Sequence, residues 1–289
     1  MSASERSAWS EQSHESKVEK FYGWGVETFG DYHGGYLNFG LWEDGNTDYL
    51  VAAENMVRHV GRLAGLDERS RLLDVGPGMG SQDLLLLKTF NPQSIDALDV
   101  TWPHIVIARK RVGAAGCDDR IRFHHGTATR MPFDDASFTH VMSIEAPEHF
   151  DTREAFFRES YRVLEPGGRI ALADYVLKRE PRNAFERSVV GAASRLWKVP
   201  RVNVHTSDVY AEKMRRCGFE NVEISEVGKL TIPGYYAEQR RPETIRQLTE
   251  IRGFVAGRLG WFIDILVLKS YELGLMEYIF VRAEKPAGG

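Results

Sequence analysis

The sequence predicts an α/β protein built on a seven-stranded, doubly wound, mostly parallel sheet. Two observations predict it: short apolar segments alternate with helical segments from Ser70 onward, and a glycine-rich turn follows the first of these strands. The predicted strands are RLLDVG, SIDALDV, IRFHHG, FTHVMSI, GRIALADYV, NVEISEVG and LMEYIFVRAEK.

The remaining segments are predicted to lie outside the sheet. Residues 1–15 are polar and read as a disordered tail, and residues 16–69 form an N-terminal helical lid. The sheet-bearing core spans residues 70–230, a helical cap is inserted at residues 231–272, and residues 273–289 supply the terminal strand and tail. A helical block of that length before the last strand must pack outside the sheet.

Two of these segments carry further information. Apolar residues recur at helical spacing from Tyr49 to Leu63 at the end of the lid, which predicts an amphipathic helix there. Lys178–His205 is too long for a simple connection between a strand and a helix, and we expect a short turn at LEPGG before the preceding strand. Long excursions at the carboxyl ends of parallel strands usually carry the substrate site.

Composition excludes several classes of function. The chain has 289 residues and a formal net charge of −4, so nucleic acid and anionic membrane surfaces are not expected as main partners. Cys117 and Cys217 are far apart and lack metal-ligand spacing, which favours reduced thiols. The longest apolar run, WFIDILVL, is far shorter than a membrane span, and the polar N-terminus lacks the apolar region of a signal peptide. We therefore expect a soluble, cytoplasmic protein.

The glycine-rich turn DVGPGMGSQD favours a particular kind of ligand. Gly76, Gly78 and Gly80 permit positive φ angles and let a ligand approach the backbone, and a helix starting near Gly80 would direct free N–H groups at it. The spacing is G-x-G-x-G rather than the G-x-G-x-x-G of dinucleotide sites. Asp74 directly before the turn is awkward for a pyrophosphate and suits a cationic ligand. The alternative is a turn with a purely structural role.

Two later strand ends extend this pattern. Asp99 ends the second strand, where a carboxylate accepts hydrogen bonds from the hydroxyls of an adenosine ribose. Thr127 and Ala128 follow the third strand, where an adenine edge would lie. The alternative for Asp99 is a helix N-cap. By itself Asp99 does not separate NAD from S-adenosylmethionine.

Taken in order, the motifs LLDVGPGMG, ALDVT, GTATRMPFDDASFTHVMSIEAPEHF and VLEPGGRIALADY resemble the class I S-adenosylmethionine-dependent methyltransferases, whose core is Rossmann-like. The resemblance covers the chain from about Tyr36 to the C-terminus. YLNFGLWEDG, GSQDLLLL and DVTWPHIVIARKRV resemble the branch of the erythromycin-type 3″-O-methyltransferase, which acts on macrolide sugars, fatty acids and other lipophilic metabolites.

The resemblance implies S-adenosyl-L-methionine as cofactor and S-adenosyl-L-homocysteine as product. No metal is expected, because the sequence shows no compact cluster of carboxylates of the kind that binds hard metal ions. The cofactor contacts that it implies are Tyr36, Trp42, Asp74, Gly76, Gly78, Gly80, Gln82, Asp99, Val100, Thr127, Ala128 and Glu145. Two positions depart from the family pattern, since many relatives carry Asp in place of Thr127 and a smaller residue in place of Pro77. Within the lid, Tyr36 and Trp42 are expected near the methionine end, where aromatic faces attract a sulfonium.

For catalysis, the resemblance implies His149 as the general base that deprotonates an acceptor hydroxyl, with Asp174 orienting it. Glu148 is a competing base, and a histidine that only packs in its loop is the alternative for His149. The residues expected to line the acceptor pocket are His33, His205, Tyr235, Tyr236 and Trp261. For any one of these, packing in the core is the alternative.

The predicted function is S-adenosylmethionine-dependent methyl transfer to a small lipophilic specialised metabolite, by SN2 attack of an acceptor oxygen. A C-methyltransferase acting on an isoprenoid or aromatic carbon, or an N-methyltransferase, remains an alternative. So does a scaffold or cyclase that binds the cofactor without methyl transfer. A nicotinamide dehydrogenase is disfavoured because the third glycine is misplaced. Whether the lid or the cap forms a homodimer is left open.

Overall fold

We describe the protein from a computed structural model, which describes residues 13–23, 26, 33–43, 45–252 and 266–288. Most of the predicted N-terminal tail and the pocket candidate Trp261 lie outside these residues. The helix and strand bounds given below all fall within them.

A seven-stranded sheet forms the centre of the molecule, as predicted. Its strands are β1 (Arg71–Val75), β2 (Ser94–Asp99), β3 (Ile121–His125), β4 (Phe138–Ile144), β5 (Leu164–Leu177), β6 (Glu220–Glu226) and β7 (Met276–Glu284). The strand order is β3-β2-β1-β4-β5-β7-β6, and β7 alone runs antiparallel to its neighbours β5 and β6. The order reverses between β1 and β4, which is where ligands bind in open α/β sheets.

Helices cover both faces of this sheet. They are α1 (His14–Gly23), α2 (Tyr49–Ala64), α3 (Ser81–Phe90), α4 (Trp102–Ala114), α5 (Arg153–Val163), α6 (Ala184–Leu196), α7 (Ser207–Arg216), α8 (Gly228–Gln239) and α9 (Pro242–Arg252). Residues 266–272 are also helical. The amphipathic helix predicted from Tyr49 is α2.

Local capping explains the ends of α2. The Asp48 carboxylate accepts hydrogen bonds from the backbone N–H groups of Leu50 and Val51, which have no partner inside the helix. At the other end, Gly65 adopts a left-handed conformation at φ 73° and its N–H returns to the last turn.

Alternation along the strands divides the core into two apolar layers. Leu72 on β1 packs on the face covered by α2, α3 and α4, whereas its neighbour Leu73 packs on the face covered by α5 and α7. Both side chains are fully buried. The sheet is thus apolar on both faces, as expected for a doubly wound fold.

The boundaries differ from expectation in three places. β5 begins at Leu164, directly after α5, so the LEPGG segment belongs to the strand and bends at Gly167, whose φ is 79°. The stretch 178–205 contains α6. In the cap region, α8 starts at Gly228 rather than at residue 231.

Among the described helices, none combines the length and the apolar composition that crossing a bilayer requires.

Candidate active site

A cavity of about 490 Å³ opens at the carboxyl ends of β1, β2 and β4. Its walls come from the glycine-rich turn, the loop after β4, the lid and α1. The volume lies within the range of pockets that hold small-molecule ligands. The cavity therefore sits where the switch in strand order predicts a ligand.

The glycine-rich turn forms one wall of this cavity. Gly76, Gly78 and Gly80 all have positive φ, at 81°, 62° and 80°. A Cβ on Gly76 would lie 2.4 Å from the Cβ of Ala146, so the loop after β4 can approach only a glycine here. Gly76 and Gly78 line the cavity, whereas Gly80 caps α3 and packs tightly against Ala108.

Asp74 stands behind the turn rather than at the cavity surface. It is fully buried and does not line the cavity, in contrast to the direct cofactor contact expected from the sequence. Its Oδ2 accepts a hydrogen bond of 2.6 Å from Nε2 of Gln82, and Gln82 does line the cavity. The position of Asp74 at the end of a buried strand explains the difference, because the turn that follows shields its side chain. Gln82 therefore links the Asp74 carboxylate to the cavity.

Asp99 is held at the cavity wall by backbone donors. Its Oδ1 accepts from the N–H of Thr101 at 2.7 Å, and its Oδ2 accepts from the N–H of Gly78 at 3.2 Å. His104 lies beside it, with Nδ1 at 3.5 Å from Oδ2. These contacts fix the carboxylate at the edge of the cavity with lone pairs left for a ligand hydroxyl.

The far end of the cavity is built by the segments after β2 and β3. Val100, Thr127 and Ala128 line it there, and the adenine contact of Thr127 and Ala128 stays a prediction. Thr127 stands where many relatives carry Asp. Its hydroxyl lies 3.0 Å from the hydroxyl of Thr129, so the two side chains are hydrogen-bonded within the same turn.

Glu145 joins three parts of the chain at the cavity. Its Oε1 accepts from the N–H of Phe39 in the lid and from the hydroxyl of Tyr278 on β7, each at 2.7 Å. Burial raises the pKa of Glu145 to about 8, and the two hydrogen bonds oppose this rise. Its backbone is left-handed, at φ 50°, which is uncommon for a residue with a side chain. Glu145 thus fastens the lid to the sheet at the cavity.

The two lid aromatics expected near the methionine end lie in different places. Tyr36 is buried and lines the cavity, and burial raises its pKa to about 12. Trp42 does not line the cavity: its ring packs directly on Gly234 of α8, and its Nε1 donates to the carbonyl of Phe39 at 2.8 Å. The prediction that Trp42 lines the cavity near the methionine end was wrong. Gly234 of α8 has no side chain, so the indole ring packs against α8 at that position.

His149 lies in a 3₁₀ turn after β4, where it lines the cavity and its ring contacts Tyr22 of α1. Its Nε2 lies 2.6 Å from the hydroxyl oxygen of Tyr22, and Nε2 of His14 lies 2.8 Å from its carbonyl oxygen. Desolvation lowers the pKa of His149 to about 3, partly opposed by the backbone at Lys198 and Trp197. The imidazole is therefore neutral at pH 7, and its Nε2 shares a hydrogen bond with the Tyr22 hydroxyl.

Glu148 is buried beside the same imidazole, with Oε1 at 3.3 Å from His149 Nε2. Burial, together with the nearby Asp174, raises its pKa well above the ordinary value, while Arg153 opposes the rise. Burial therefore favours the protonated form of Glu148.

Asp174 does not orient His149 as expected. Its two oxygens accept from Nε and Nη2 of Arg153, both at 2.8 Å, in a fully buried bidentate pair. The hydroxyl of Tyr210 also donates to it at 3.1 Å. The prediction that Asp174 orients His149 was wrong. The Asp174 carboxylate is instead paired with Arg153 at the start of α5.

The expected pocket-lining residues divide into three groups. His33 and Tyr235 line the cavity, and Tyr235 stacks on Phe39 with ring centroids 4.3 Å apart. His205 and Tyr236 are buried elsewhere, next to Tyr210 and in the main core respectively, so neither lines the cavity. Trp261 lies outside the described residues.

Sequence reasoning missed many residues of this cavity, among them three from segments predicted to lie outside the main run of strands. Tyr22 on α1, Trp197 after α6 and Gln239 at the end of α8 all line it. Trp197 lies in the long stretch 178–205 that was expected to carry a substrate site, and Gln239 lies in the predicted cap. No local pattern in the sequence indicates that Tyr22 lines the cavity. Its partner His149 lies 127 residues later in the chain, so only the folded structure brings the two together.

Within the described ranges, no group of three or more His, Cys, Asp or Glu side chains is arranged to hold a metal ion.

Comparison with known proteins identifies the family. A methyltransferase domain family matches residues 73–172. The chain is 34% identical over 214 residues to erythromycin 3''-O-methyltransferase of Saccharopolyspora erythraea, a match that covers 70% of this chain and 69% of that enzyme. It is 29% identical over 213 residues to 27-O-demethylrifamycin SV methyltransferase of Amycolatopsis mediterranei, covering 73% and 76%.

Solved structures share the whole fold. The cyclase SpnF superposes with a TM-score of 0.75 at 23% identity, covering 95% of this chain and 97% of that chain. Geranyl diphosphate C-methyltransferase of Streptomyces coelicolor, solved with Mg²⁺, geranyl diphosphate and S-adenosyl-L-homocysteine, gives 0.75 at 16% identity, covering 96% and 100%. With the sheet order, the glycine turn and Asp99 in place, the chain belongs to the class I S-adenosylmethionine-dependent methyltransferases, in the small-molecule branch that resembles erythromycin 3''-O-methyltransferase.

Proposed function

We propose that this enzyme methylates an oxygen atom of a small lipophilic specialised metabolite, and that His149 takes the proton of the acceptor hydroxyl. The observation that carries the proposal is the buried, neutral imidazole of His149, whose Nε2 lies at the cavity with a hydroxyl group, that of Tyr22, already against it. An acceptor hydroxyl would displace that of Tyr22 and make the same contact, because Nε2 offers a single lone pair.

The residues at the other end of the cavity fit the methyl donor. Gly76 and Gly78 leave backbone surface without a Cβ at the cavity wall, and Asp99 presents a carboxylate already oriented by two backbone N–H groups. The donor set around the turn is acidic, with Asp74 behind Gln82, which suits an ammonium group rather than a phosphate. S-adenosylmethionine supplies a methyl group that its sulfonium has already activated.

A weak base is sufficient for this chemistry. His149 has the correct form at pH 7, because a neutral imidazole offers Nε2 as an acceptor. Its lowered pKa means that it binds a proton weakly in the free enzyme. An acceptor oxygen becomes strongly acidic as it gains a methyl group, so even this imidazole can take its proton at that moment. Its second role is to orient the acceptor oxygen.

Glu148 is less suited to act as the base. Burial raises the pKa of Glu148 and so favours its protonated form, which cannot accept the acceptor's proton until it has lost its own. It can instead stabilise the imidazolium once His149 is charged, since its Oε1 lies 3.3 Å from Nε2.

An apolar, aromatic wall supports a lipophilic acceptor. Phe39, Tyr235 and Trp197 line the cavity near His149, and the Phe39 ring packs against the other two. The same wall would hold an isoprenoid, which keeps C-methylation as the second candidate.

The test is transfer of radiolabelled methyl from S-adenosylmethionine to a panel of lipophilic alcohols, phenols, amines and prenyl compounds, with the product bond assigned by NMR. Labelled ether products are expected. Labelled carbon products would favour C-methylation. Tight binding of S-adenosylhomocysteine without transfer to any acceptor would favour a scaffold or cyclase.

A further inference from the structure

The turn that carries His149 is held by a side chain that does not reach the cavity. Asn203 lies in a second 3₁₀ turn, Arg201–Asn203, near the end of the stretch 178–205. It is 1% exposed and does not line the cavity. Its side chain nevertheless binds the backbone on both sides of His149.

Both N–H groups of the Asn203 amide are used on this turn. Nδ2 donates to the carbonyl oxygen of Glu148 at 3.0 Å and to that of Phe150 at 2.7 Å, one residue before and one residue after His149. The carbonyl oxygen of His149 itself accepts from Nε2 of His14 on α1 at 2.8 Å. Three consecutive carbonyl groups are thus bound by side chains from distant parts of the chain, two of them by Asn203.

The partners of the Asn203 amide fix its orientation. Oδ1 accepts from the backbone N–H of Arg153 at 3.1 Å, and this N–H lies in the first turn of α5, where the helix offers it no carbonyl. A flipped amide would set its oxygen against two carbonyl oxygens and its N–H groups against the N–H of Arg153. Only the observed orientation satisfies all these groups.

Arg153 connects Asn203 to the sheet. Its Nη1 donates to the backbone carbonyl of Asn203, and its Nη2 donates to the carbonyl of Tyr175 at 2.8 Å. The same guanidinium holds the bidentate pair with Asp174 on β5, and both side chains are buried. A continuous series of hydrogen bonds therefore runs from β5 through Arg153 and Asn203 to the turn that carries His149.

The hydrogen bonds inside this turn do not fix its place in the fold. The N–H of His149 donates to the carbonyl of Ala146 at 3.0 Å, and the N–H of Phe150 donates to that of Pro147 at 3.2 Å. Both bonds close the turn on itself. Asn203 is what ties its carbonyl groups to β5 and α5.

We propose that Asn203 is a positioning residue for methyl transfer: by binding the carbonyl groups of Glu148 and Phe150, it fixes the backbone of His149 and so the place of Nε2 in the cavity. The inference rests on the proposed function, in which His149 takes the proton of the acceptor. A misplacement of about 1 Å in a catalytic group can cost about 100-fold in rate. A side chain outside the cavity can therefore control turnover without touching either substrate.

The imidazole of His149 reports whether the turn is in place. The titratable groups that face it are Tyr22 and His14 of α1, Glu148 of the same turn and Arg153 of α5. Burial lowers its pKa to about 3, and the charges of His14 and Arg153 add to this. A turn released from Asn203 would admit water, which raises the pKa towards the ordinary value of 6.5.

NMR of protein labelled with ¹⁵N-histidine follows this imidazole from pH 5 to pH 8, and His149→Ala assigns its signal. In wild type the imidazole should stay neutral throughout. In Asn203→Ala the midpoint of its titration should rise to about 5 or higher. If this variant does not fold, Asn203→Asp is measured instead: it keeps an oxygen for the N–H of Arg153 and makes at most one of the two donated hydrogen bonds. An imidazole that stays neutral in the Asn203 variant would overturn the inference, whatever the turnover.

Turnover of an alcohol that wild type methylates measures the consequence. The kcat of the Asn203 variant should fall at least about tenfold, while its affinity for S-adenosylhomocysteine stays within about threefold of wild type. A titrating imidazole with unchanged kcat would support the positioning by Asn203 and refute His149 as the base, so the two proposals fail separately.

Asn183→Ala is the matched control for stability. The exposed Asn183 caps α6 by accepting the N–H of Glu186 at 2.9 Å, so its loss should lower Tm by about 2–4 °C. Both kcat and the His149 signal should stay as in wild type. A loss of kcat in Asn183→Ala equal to that in the Asn203 variant would assign both losses to stability and overturn the inference.

Discussion

The hydroxyl oxygen of Tyr22 lies 2.6 Å from Nε2 of His149. Tyr22 belongs to α1, outside the segment that matches the methyltransferase domain family, whereas His149 belongs to the loop after β4 within it. The short α1 therefore completes the cavity at the atom where the acceptor is expected. Its contacts with His149 link the N-terminal segment to the proposed chemistry.

Removing the Tyr22 hydroxyl should change acceptor binding more than donor binding. Tyr22→Phe keeps the ring packed on His149 but removes the hydroxyl that the acceptor must displace from Nε2. We expect KM for the acceptor to fall by up to about tenfold, the equivalent of one hydrogen bond of about 1.4 kcal/mol, with little change in kcat. Affinity for S-adenosylhomocysteine should not change. Lys17→Ala on the exposed side of α1 is the control, and an equal change in that variant would point to a general effect of altering the helix.

Asp99 should control affinity for the donor. Asp99→Ala removes the only carboxylate that the described residues place at the cavity between the glycine turn and Val100. The Asp99 carboxylate is expected to accept one hydrogen bond from each of the two ribose hydroxyls of the ligand. Loss of these two charge-assisted hydrogen bonds should weaken S-adenosylhomocysteine binding by at least about 30-fold in calorimetry. Asp96→Ala, earlier on the same strand and paired with His124, should bind normally. Unchanged affinity in Asp99→Ala would remove Asp99 from the site.

Contact between the lid and α8 should depend on Gly234. A Cβ at this position would lie 2.3 Å from the Trp42 ring, so Gly234→Ala forces the indole to move. Overpacking of this kind costs roughly 1–3 kcal/mol, which should appear as a lower free energy of unfolding in denaturant titrations. Gly191→Ala on α6 meets nothing within 4 Å and should instead stabilise the protein by up to about 1 kcal/mol. Equal effects of the two substitutions would contradict the packing described for Trp42.

His205 should weaken the protein as the solution is acidified. Burial lowers the pKa of His205 to about 3, with Arg153 and Lys213 adding to the effect, whereas the unfolded chain takes up the proton near 6.5. Stability from this residue is therefore present above pH 6.5 and lost as pH falls below it. Any cost of His205→Asn measured at pH 8 should shrink by roughly 1–2 kcal/mol at pH 5. A cost that stays constant would mean that His205 is solvated.

The sheet and the glycine-rich turn were readable from the sequence because their signals are local. Strand alternation, the glycines at 76, 78 and 80, and the acid at the end of β2 each depend on neighbouring residues, and the structure places Gly76, Gly78 and Asp99 at one cavity. The predicted helix from Tyr49 is equally local, since its cap and its apolar stripe lie within the segment itself.

The errors share a different cause. Whether Asp174 faces the cavity or the core depends on Arg153, and the place of Trp42 depends on Gly234, which comes far later in the chain. Tyr22 could not be recognised because its partner, His149, is distant in sequence. Such pairings are set by tertiary packing, which local patterns do not encode.

The role of His149 is tested most directly by His149→Ala, assayed with a lipophilic alcohol that the wild-type enzyme methylates. The account predicts a loss of kcat of about 100-fold or more, with S-adenosylhomocysteine binding within about threefold of wild type. It also predicts that wild-type kcat shows no acid limb near pH 6.5 from this residue, because its pKa is lowered to about 3. Full turnover by His149→Ala would contradict the account.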